Sequence, residues 1–351
     1  MNIIVTGGAG FIGANFIFYL LGHHPEDRVI CLDKLTYAGN RHNLDGLKDD
    51  ARHEFVVGDV GDIALVTRLL QTHQPRAILH FAAESHVDRS IAGAGDFIQS
   101  NICGTHGLLE AARAYWAGLA GPARDDFRFL HVSTDEVYGS LSPDAPAFTE
   151  SSPYRPNNPY SASKAASDHL VRACGQTHGL PVLTTHCSNN FGPRQFPEKL
   201  IPLVLHNALA GKPLPVYGDG LHVRDWLYVA DHCRGLCKVL AHGRPGETYN
   251  LGGDNERTNL EVVLSVCALL DQARPRADGA SYKTQIKMVA DRAGHDRRYA
   301  IDSARVRQEL GWRPIETFQS GLEKTLHWYL DNPQWVAEIV ARAHRRGDAL
   351  P

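Results

Sequence analysis

Two neighbouring carboxylates, Asp135 and Glu136, sit directly behind Thr134 in the run His131-Val132-Ser133-Thr134-Asp135-Glu136-Val137-Tyr138-Gly139. Adjacent acids leaving a strand point in different directions, so their surroundings can push their pKa values apart. One can then serve as an acid while the other serves as a base. Further along, Tyr160 and Lys164 are spaced i, i+4, which places them on one face of a helix. An ammonium there favours tyrosinate and would lower the tyrosine pKa towards that of a useful general base. A third group, Gly7-Gly8-Ala9-Gly10-Phe11-Ile12-Gly13, satisfies Gly-x-Gly-x-x-Gly and Gly-x-x-Gly-x-x-Gly. Glycine suits such a turn because a side chain would keep a pyrophosphate from the backbone amides and the helix N-terminus.

These groups need elements to hold them, and the apolar pattern supplies a regular alternation. A strand Asn2 to Thr6 precedes the glycine turn, and a helix Phe11 to Leu21 follows it. The next strand, Arg28 to Leu32, ends at Asp33, 20 residues beyond Gly13, where an acid can accept both ribose hydroxyls. The same acid would repel a 2′-phosphate, so the expected cofactor is NAD+. Glu54 to Val57 reads as a strand running into Asp59, which could bond an adenine. A helix Ile63 to Thr72, a strand Arg76 to Phe81 and a helix from about Asp96 to Trp116 follow. The apolar run Phe127 to Val132 then leads to the acidic tip, and the Tyr160 helix continues to about Thr177. Strands separated by helices of this length indicate βαβ units in a parallel, doubly wound sheet. Ligands of such sheets bind outside the carboxyl ends of the strands, where all these polar groups fall. The expectation is an α/β, Rossmann-like fold with a smaller C-terminal substrate-binding lobe. The dinucleotide-binding part is read as residues 1–188 and the substrate part as 189–351, with some segments returning to the first. Two amphipathic helices, Thr317 to Leu330 and Pro333 to Ala343, would close the chain.

Composition removes several classes. The 351 residues carry a formal net charge of −3 without a Lys/Arg block, so a nucleic-acid surface is not expected. No apolar run reaches membrane-spanning length, and the amino terminus lacks the features of a signal peptide. The seven cysteines are scattered and odd in number, and are read as reduced thiols of a cytoplasmic protein. The histidines show no His-Glu-x-x-His spacing, so no metal is expected.

With those residues in place the chain resembles the extended short-chain dehydrogenases/reductases, marked by Gly-x-x-Gly-x-x-Gly and Tyr-x-x-x-Lys. Within them Thr134-Asp135-Glu136 resembles the signature of the dTDP-glucose 4,6-dehydratases. Further matching runs are Asp33 to Asn40, Ala83 to Ser90, Ser188 to Pro193, Pro197 to Pro202, Arg224 to Val229 and Asp291 to Tyr299. Phe191 stands where Tyr is frequent in the family, and Gly61 interrupts an Asp-Ile-Cys-Asp pattern. The resemblance implies conversion of dTDP-glucose to its 4-keto-6-deoxy sugar plus water, with Thr134, Asp135, Glu136, Tyr160 and Lys164 as catalytic groups. It implies NAD+ held by Gly7, Gly10, Phe11, Ile12 and Gly13, by Asp33, Lys34, Leu35, Thr36, Ala38 and Gly39, and by Asp59 and Val60. Phe81, Ala82, Ala83, Ser85, Ser100 and Asn190 complete that set, together with Tyr160 and Lys164. It implies substrate contacts from Ser85, Thr134, Asn189, Lys199, Leu200, Pro215, Tyr217, Arg224, Asn259, His295, Arg297 and Tyr299. Of these, Tyr217 would stack on the base and Arg224 and Arg297 would meet the diphosphate. Arg298 is open between substrate and a structural carboxylate. Family members typically pair as homodimers through two helices per subunit, here expected to be the Asp96–Trp116 and Tyr160–Thr177 segments, with burial of the Tyr160 helix within one subunit as the equal alternative.

Rival readings share the scaffold. A nucleotide-sugar 4-epimerase would use Tyr160, Lys164 and NAD but needs no acid/base pair at carbons 5 and 6. A UDP-glucuronate decarboxylase would handle a carboxylated sugar. An NAD-sensing binding protein would not need Tyr160, Lys164 and both acids together.

Overall fold

Runs rich in Ile, Val and Leu and buried on both faces are the mark of parallel strands, and the main sheet is built from such runs. In the computed structural model, which describes residues 1–292 and 294–345, these are β1 (Asn2–Thr6), β2 (Arg28–Asp33), β3 (His53–Val57), β4 (Ala77–His80), β5 (Arg128–Thr134) and β6 (Val182–Cys187). Then follow β7 (Asn189–Phe191), β8 (Leu214–Tyr217), β9 (Val223–Tyr228), β10 (Thr248–Leu251), β11 (Glu256–Thr258) and β12 (Ile286–Val289). Seven strands form one sheet in the order β10-β6-β5-β4-β1-β2-β3. Every pairing in it is parallel. The chain winds outward from β1 through β2 to β3, then crosses back and winds the other way through β4, β5 and β6. The reversal lies between β1 and β4, the switch point at which sheets of this kind bind ligands.

Two apolar layers sandwich the sheet. Helices Phe11–His23 and Val229–His242 cover one face around Phe16, Ile17, Leu236 and Trp312. Helices Ile63–His73, Thr105–Ala117 and Pro159–His178 cover the other around Leu70, Leu108, Phe129 and Val171. The second lobe combines the sheets β11-β9-β7 and β12-β8 with helices Leu200–Leu209, Asn259–Ala273 and Phe318–Asp331. The final helix is Pro333–Arg345.

Three elements differ from the sequence reading. β5 continues two residues past Val132, because Ser133 and Thr134 pair with His186 and Cys187 of β6. The expected Asp96–Trp116 helix contains a π-helical turn, Ile98–Gly104, before regular helix resumes at Thr105. The segment Thr248–Leu251, not marked as a strand from the sequence, joins the main sheet as β10, next to β6, in line with the expectation that some segments of 189–351 return to the first part. Ala293, within the Asp291–Tyr299 run, and residues 346–351 lie outside the described residues.

Candidate active site

The carboxyl ends of β1, β2, β4, β5 and β6 open into one cleft. Gly7 follows β1 with φ +70°, and a Cβ there would lie 2.5 Å from the backbone nitrogen of Ala82, just past β4. Only glycine allows that approach across the switch point. Gly10, Phe11, Ile12 and Gly13 line the cleft at the start of the following helix. Asp33, at the end of β2, accepts the Ala9 amide at 2.9 Å and the Leu35 amide at 2.8 Å. Each of its oxygens keeps a second lone pair for a diol. Lys34 and Asp59 form an ion pair of 2.7 Å at the rim. The same cleft is lined by Thr36, Ala38, Gly39, Val60, Phe81, Ala82, Ala83, Ser85, Ser100 and Asn190. Leu35 is the exception among the expected cofactor residues. It does not line the cleft, and its φ of +57° turns its amide onto Asp33. The glycine turn, the diol-ready acid and the adjoining wall together fit a dinucleotide.

The reacting groups stand deeper in the cleft. Thr134 ends β5, and its hydroxyl caps the short 3-10 turn Asp135–Tyr138 by accepting the Glu136 amide at 3.3 Å. Gly139 closes the turn at φ +88°, where a Cβ would fall 2.3 Å from the Arg155 carbonyl oxygen. Asp135 is 2% exposed. Its Oδ1 accepts the Thr134 hydroxyl at 3.4 Å, while Oδ2 and Glu136 Oε2 are buried without a hydrogen-bond partner. Burial, then the Glu136 charge and then Asp225, push Asp135 well above the usual carboxylate range. Burial also raises Glu136, but Arg224, Arg292 and Lys199 all act against that rise. The two neighbours thus sit in different fields, one next to anions and one facing cations.

Tyr160 and Lys164 lie near the start of the helix Pro159–His178, which Asn158 caps by accepting the Ser161 amide at 2.9 Å. Both line the cleft with the acids. Their relation differs from the sequence expectation. Lys164 Nζ donates to the Val132 carbonyl at 3.0 Å, and burial lowers its pKa. The Tyr160 phenol is raised well above its ordinary value by burial and then by Glu136, with the Thr134 hydroxyl acting in the opposite direction. In the protein alone, therefore, the phenol form of Tyr160 is favoured. A cationic ring bound beside it would shift that balance towards phenolate.

A second cleft adjoins the first, with Asn189, Asn190, Gln195, Glu198 and Lys199 on both walls. Leu200, Pro215, Tyr217, Arg224, Asn259 and His295 line it. Lys199 precedes the helix Leu200–Leu209, whose free amides suit an anion. Arg224 is held by the Asp296 carbonyl at 2.9 Å and lies 4.3 Å over the Tyr299 ring. Ser85 and Thr134 line the first cleft, and two expected substrate residues line neither. Arg297 forms a double bond to Asp219, at 2.8 and 3.1 Å, and Tyr299 is buried beneath Arg224 with its hydroxyl on Asp296. Arg298 pairs with Glu256 at 2.6 and 2.8 Å, the structural alternative.

Several participants escaped the sequence reading. Asn101, in the π-helical turn, accepts the Glu84 amide at 2.8 Å and donates to Ser163 Oγ at 2.8 Å, tying the wall after β4 to the catalytic helix. Asp168, one turn beyond Lys164, accepts bonds from His131, His186 and Ser133 at 3.1, 3.0 and 3.0 Å. Its i, i+4 spacing from Lys164 was visible, but its partners depend on β5 and β6 being neighbours. Arg292 lines the second cleft and bonds Asp88 at 3.2 Å. His222, Asp291 and His295 converge within 4.8 Å of one another, with the two imidazoles stacked at 3.6 Å. This is the sole cluster of potential metal ligands among the described residues.

The family model described as GDP-mannose 4,6 dehydratase matches residues 4–325. The dTDP-glucose 4,6-dehydratase of Xanthomonas campestris pv. campestris strain B100 is 62% identical over 342 residues, 97% of each chain. That of Salmonella typhimurium strain LT2 is 54% identical over 353 residues, 98% of this chain and 97% of its own. The crystal structure of the dTDP-glucose 4,6-dehydratase of Streptomyces venezuelae, with NAD bound, superimposes with a TM-score of 0.88 at 48% identity, covering 97% of this chain and 100% of that one.

Proposed function

The chain belongs to the GDP-mannose 4,6 dehydratase family and, within it, to the dTDP-glucose 4,6-dehydratases, and on that footing we propose the following reaction and division of labour. The protein is a hydro-lyase that converts dTDP-glucose to dTDP-4-dehydro-6-deoxy-glucose and water, with NAD+ as its cofactor. The observation that carries this reading is the Asp135–Glu136 pair, the first buried and the second half-buried, facing the same cleft as Tyr160 and Lys164. Exchange of configuration at carbon 4 would use the second pair and leave the first idle.

NAD+, when bound, supplies the hydride chemistry, accepting from carbon 4 and returning to carbon 6. Gly7 to Gly13, Asp33 and the walls after β3 and β4 would hold it. Tyr160 removes the proton of the carbon-4 hydroxyl, aided by the Thr134 hydroxyl. Lys164, anchored on Val132, fixes the charge beside the phenol. Glu136, kept more easily ionised by Arg224, Arg292 and Lys199, takes the carbon-5 proton. Asp135, held neutral by burial and its anionic neighbours, gives its proton to the carbon-6 hydroxyl, which leaves as water. Lys199, the helix amides behind it and Arg224 receive the diphosphate, while Pro215 and Tyr217 flank the base. Residues 1–188 serve the cofactor and residues 189–351 mainly the sugar nucleotide.

Incubation with dTDP-glucose in deuterated water, with no NAD added, tests this. Loss of water with deuterium at carbon 5 is expected. Isomerisation to a galactose nucleotide without loss of water would refute it. We further infer a homodimer paired through the helical run 95–117 and the helix Pro159–His178. Ile98 is 50% exposed and Cys103 is exposed on that run. A sedimentation mass of one chain would refute the pairing. A cytoplasmic location accords with seven unpaired cysteines. Among the described residues no helix is long and apolar enough to cross a membrane.

A further inference from the structure

The proton balance of this reaction does not close on the groups named so far. Tyr160 gains the carbon-4 hydroxyl proton, and the product ketone never takes it back. Glu136 gains the carbon-5 proton, exchanges it one for one with solvent, and gives a proton back to carbon 5. Asp135 loses its proton into the departing water. Each turnover therefore leaves Tyr160 one proton richer and Asp135 one proton poorer. The net reaction neither consumes nor releases a proton, so the excess at one group matches the deficit at the other.

Thr134 adjoins both. Its Oγ1 is 3.4 Å from Asp135 Oδ1, it lines the same cleft as Tyr160, and its hydroxyl favours the ionised form of that phenol. A hydroxyl can accept on a lone pair while donating its own hydrogen. The neighbouring groups are otherwise engaged: Ser133 Oγ donates to Asp168 at 3.0 Å, and Lys164 Nζ donates to Val132 at 3.0 Å. The Glu136 amide, bonded to Thr134 Oγ1 at 3.3 Å, fixes the position of that oxygen.

We propose, resting on the dehydratase reading, that the Thr134 hydroxyl returns the proton collected by Tyr160 to Asp135 and so resets the site without solvent. The Tyr160 O–H bond breaks as a new Thr134 O–H bond forms. The original Thr134 O–H bond breaks as the Asp135 O–H bond forms, no electrons are exchanged, and Thr134 ends unchanged. The raised affinity of Asp135 for a proton, from burial and then Glu136, makes it a competent receiver.

The test compares holoenzyme carrying Thr134→Val or Thr134→Ser with the parent, by rapid-quench counting of product per site in excess dTDP-glucose. Resting enzyme has time to release the Tyr160 proton to solvent and to take one up on Asp135, so the Val variant makes about one product per site. It then slows by roughly 10²-fold, the scale of a lost positioned proton carrier. Small acid buffers such as imidazole raise that slow rate in proportion to concentration. The Ser variant turns over repeatedly without them. First-turnover and steady rates that fall by the same factor in the Val variant overturn the relay. So does a burst insensitive to buffer, which marks slow product release instead. A parent enzyme that forms no keto sugar fails the dehydratase reading, an outcome separate from either.

Discussion

Asp135→Asn separates the two halves of the chemistry. The amide matches the carboxylic acid in shape, and its oxygen can still accept from Thr134 where Oδ1 now does at 3.4 Å. What it cannot do is release a proton from the position of Oδ2, which is buried without a partner. General acid catalysis of this kind contributes about 10²–10⁴-fold, or roughly 3–5 kcal/mol of barrier. Elimination should slow by that factor, while first-pass oxidation at carbon 4, which does not use Asp135 as acid, should stay within about threefold of the parent, well below the range expected for losing a general acid. Stopped-flow absorbance of the reduced nicotinamide reads the first step, and mass spectrometry of the sugar reads the second. Folding should not suffer. An acid whose pKa is raised in the folded protein weakens the fold at any pH above its unfolded value near 3.9, and the amide removes that penalty. The melting temperature of the variant at pH 7 should therefore equal or exceed the parent's. In the parent, elimination should climb as the pH rises through the raised Glu136 pKa and decline as it rises through the elevated Asp135 pKa. An oxidation burst that falls in step with turnover would show that Asp135 is not the departing-water acid.

Glu136→Gln should cut product formation by about 10²–10⁴-fold and abolish deuterium entry at carbon 5, read by proton NMR; retained deuterium would assign that proton to another group. Gly7→Ala forces a Cβ to 2.5 Å from Ala82 N at φ +70°, so purified protein should lose most of its bound nicotinamide, measured by absorbance after denaturation. Asp168→Asn should cost about 3–5 kcal/mol at pH 7 by urea unfolding, because it breaks a buried hydrogen-bonded charge network. Burial alone would raise Asp168, yet the bonds from His131 and His186 hold it far below the usual range. Its contribution is therefore fully present above the unfolded value near 3.9 and fades below it; a deficit that stays constant down to pH 3 would contradict this. His131, depressed to about 4 by burial, adds a separate loss of stability as the pH falls from 6.5 towards 4 in the parent.

Local signals made much of the site legible. The glycine turn, Asp33, the adjacent acids and the Tyr160–Lys164 spacing all depend on short-range rules, and the fold brings them to one cleft. What stayed hidden depends on contacts between distant segments. Lys164 was expected to act on Tyr160, but the carbonyl it bonds belongs to β5 and is visible only once the helix is docked. Arg297 and Tyr299 belong to a matching run, yet Arg297 reaches Asp219 and Tyr299 supports Arg224 from below. A motif fixes residue types, and the direction of each side chain depends on which strand lies alongside. The π-helical turn has no sequence signal comparable to an apolar period, so Asn101 passed unnoticed.

The late return of β10 to the edge of the main sheet bears on how the chain is made. A ribosome has completed β6 and the whole catalytic helix more than fifty residues before Thr248–Leu251 emerges. Until then the backbone edge of β6 is open, and open edges recruit other chains. Asn250 of β10 also accepts the Tyr138 hydroxyl at 3.0 Å, adding to the 2.7 Å bond between that hydroxyl and His186 of β6, so the brace on the turn bearing both acids is completed when that strand arrives. A nascent chain halted before residue 248 would hold every catalytic residue and still lack the full brace, leaving the last strand to join the sheet to complete both the solubility and the catalytic geometry of the first half.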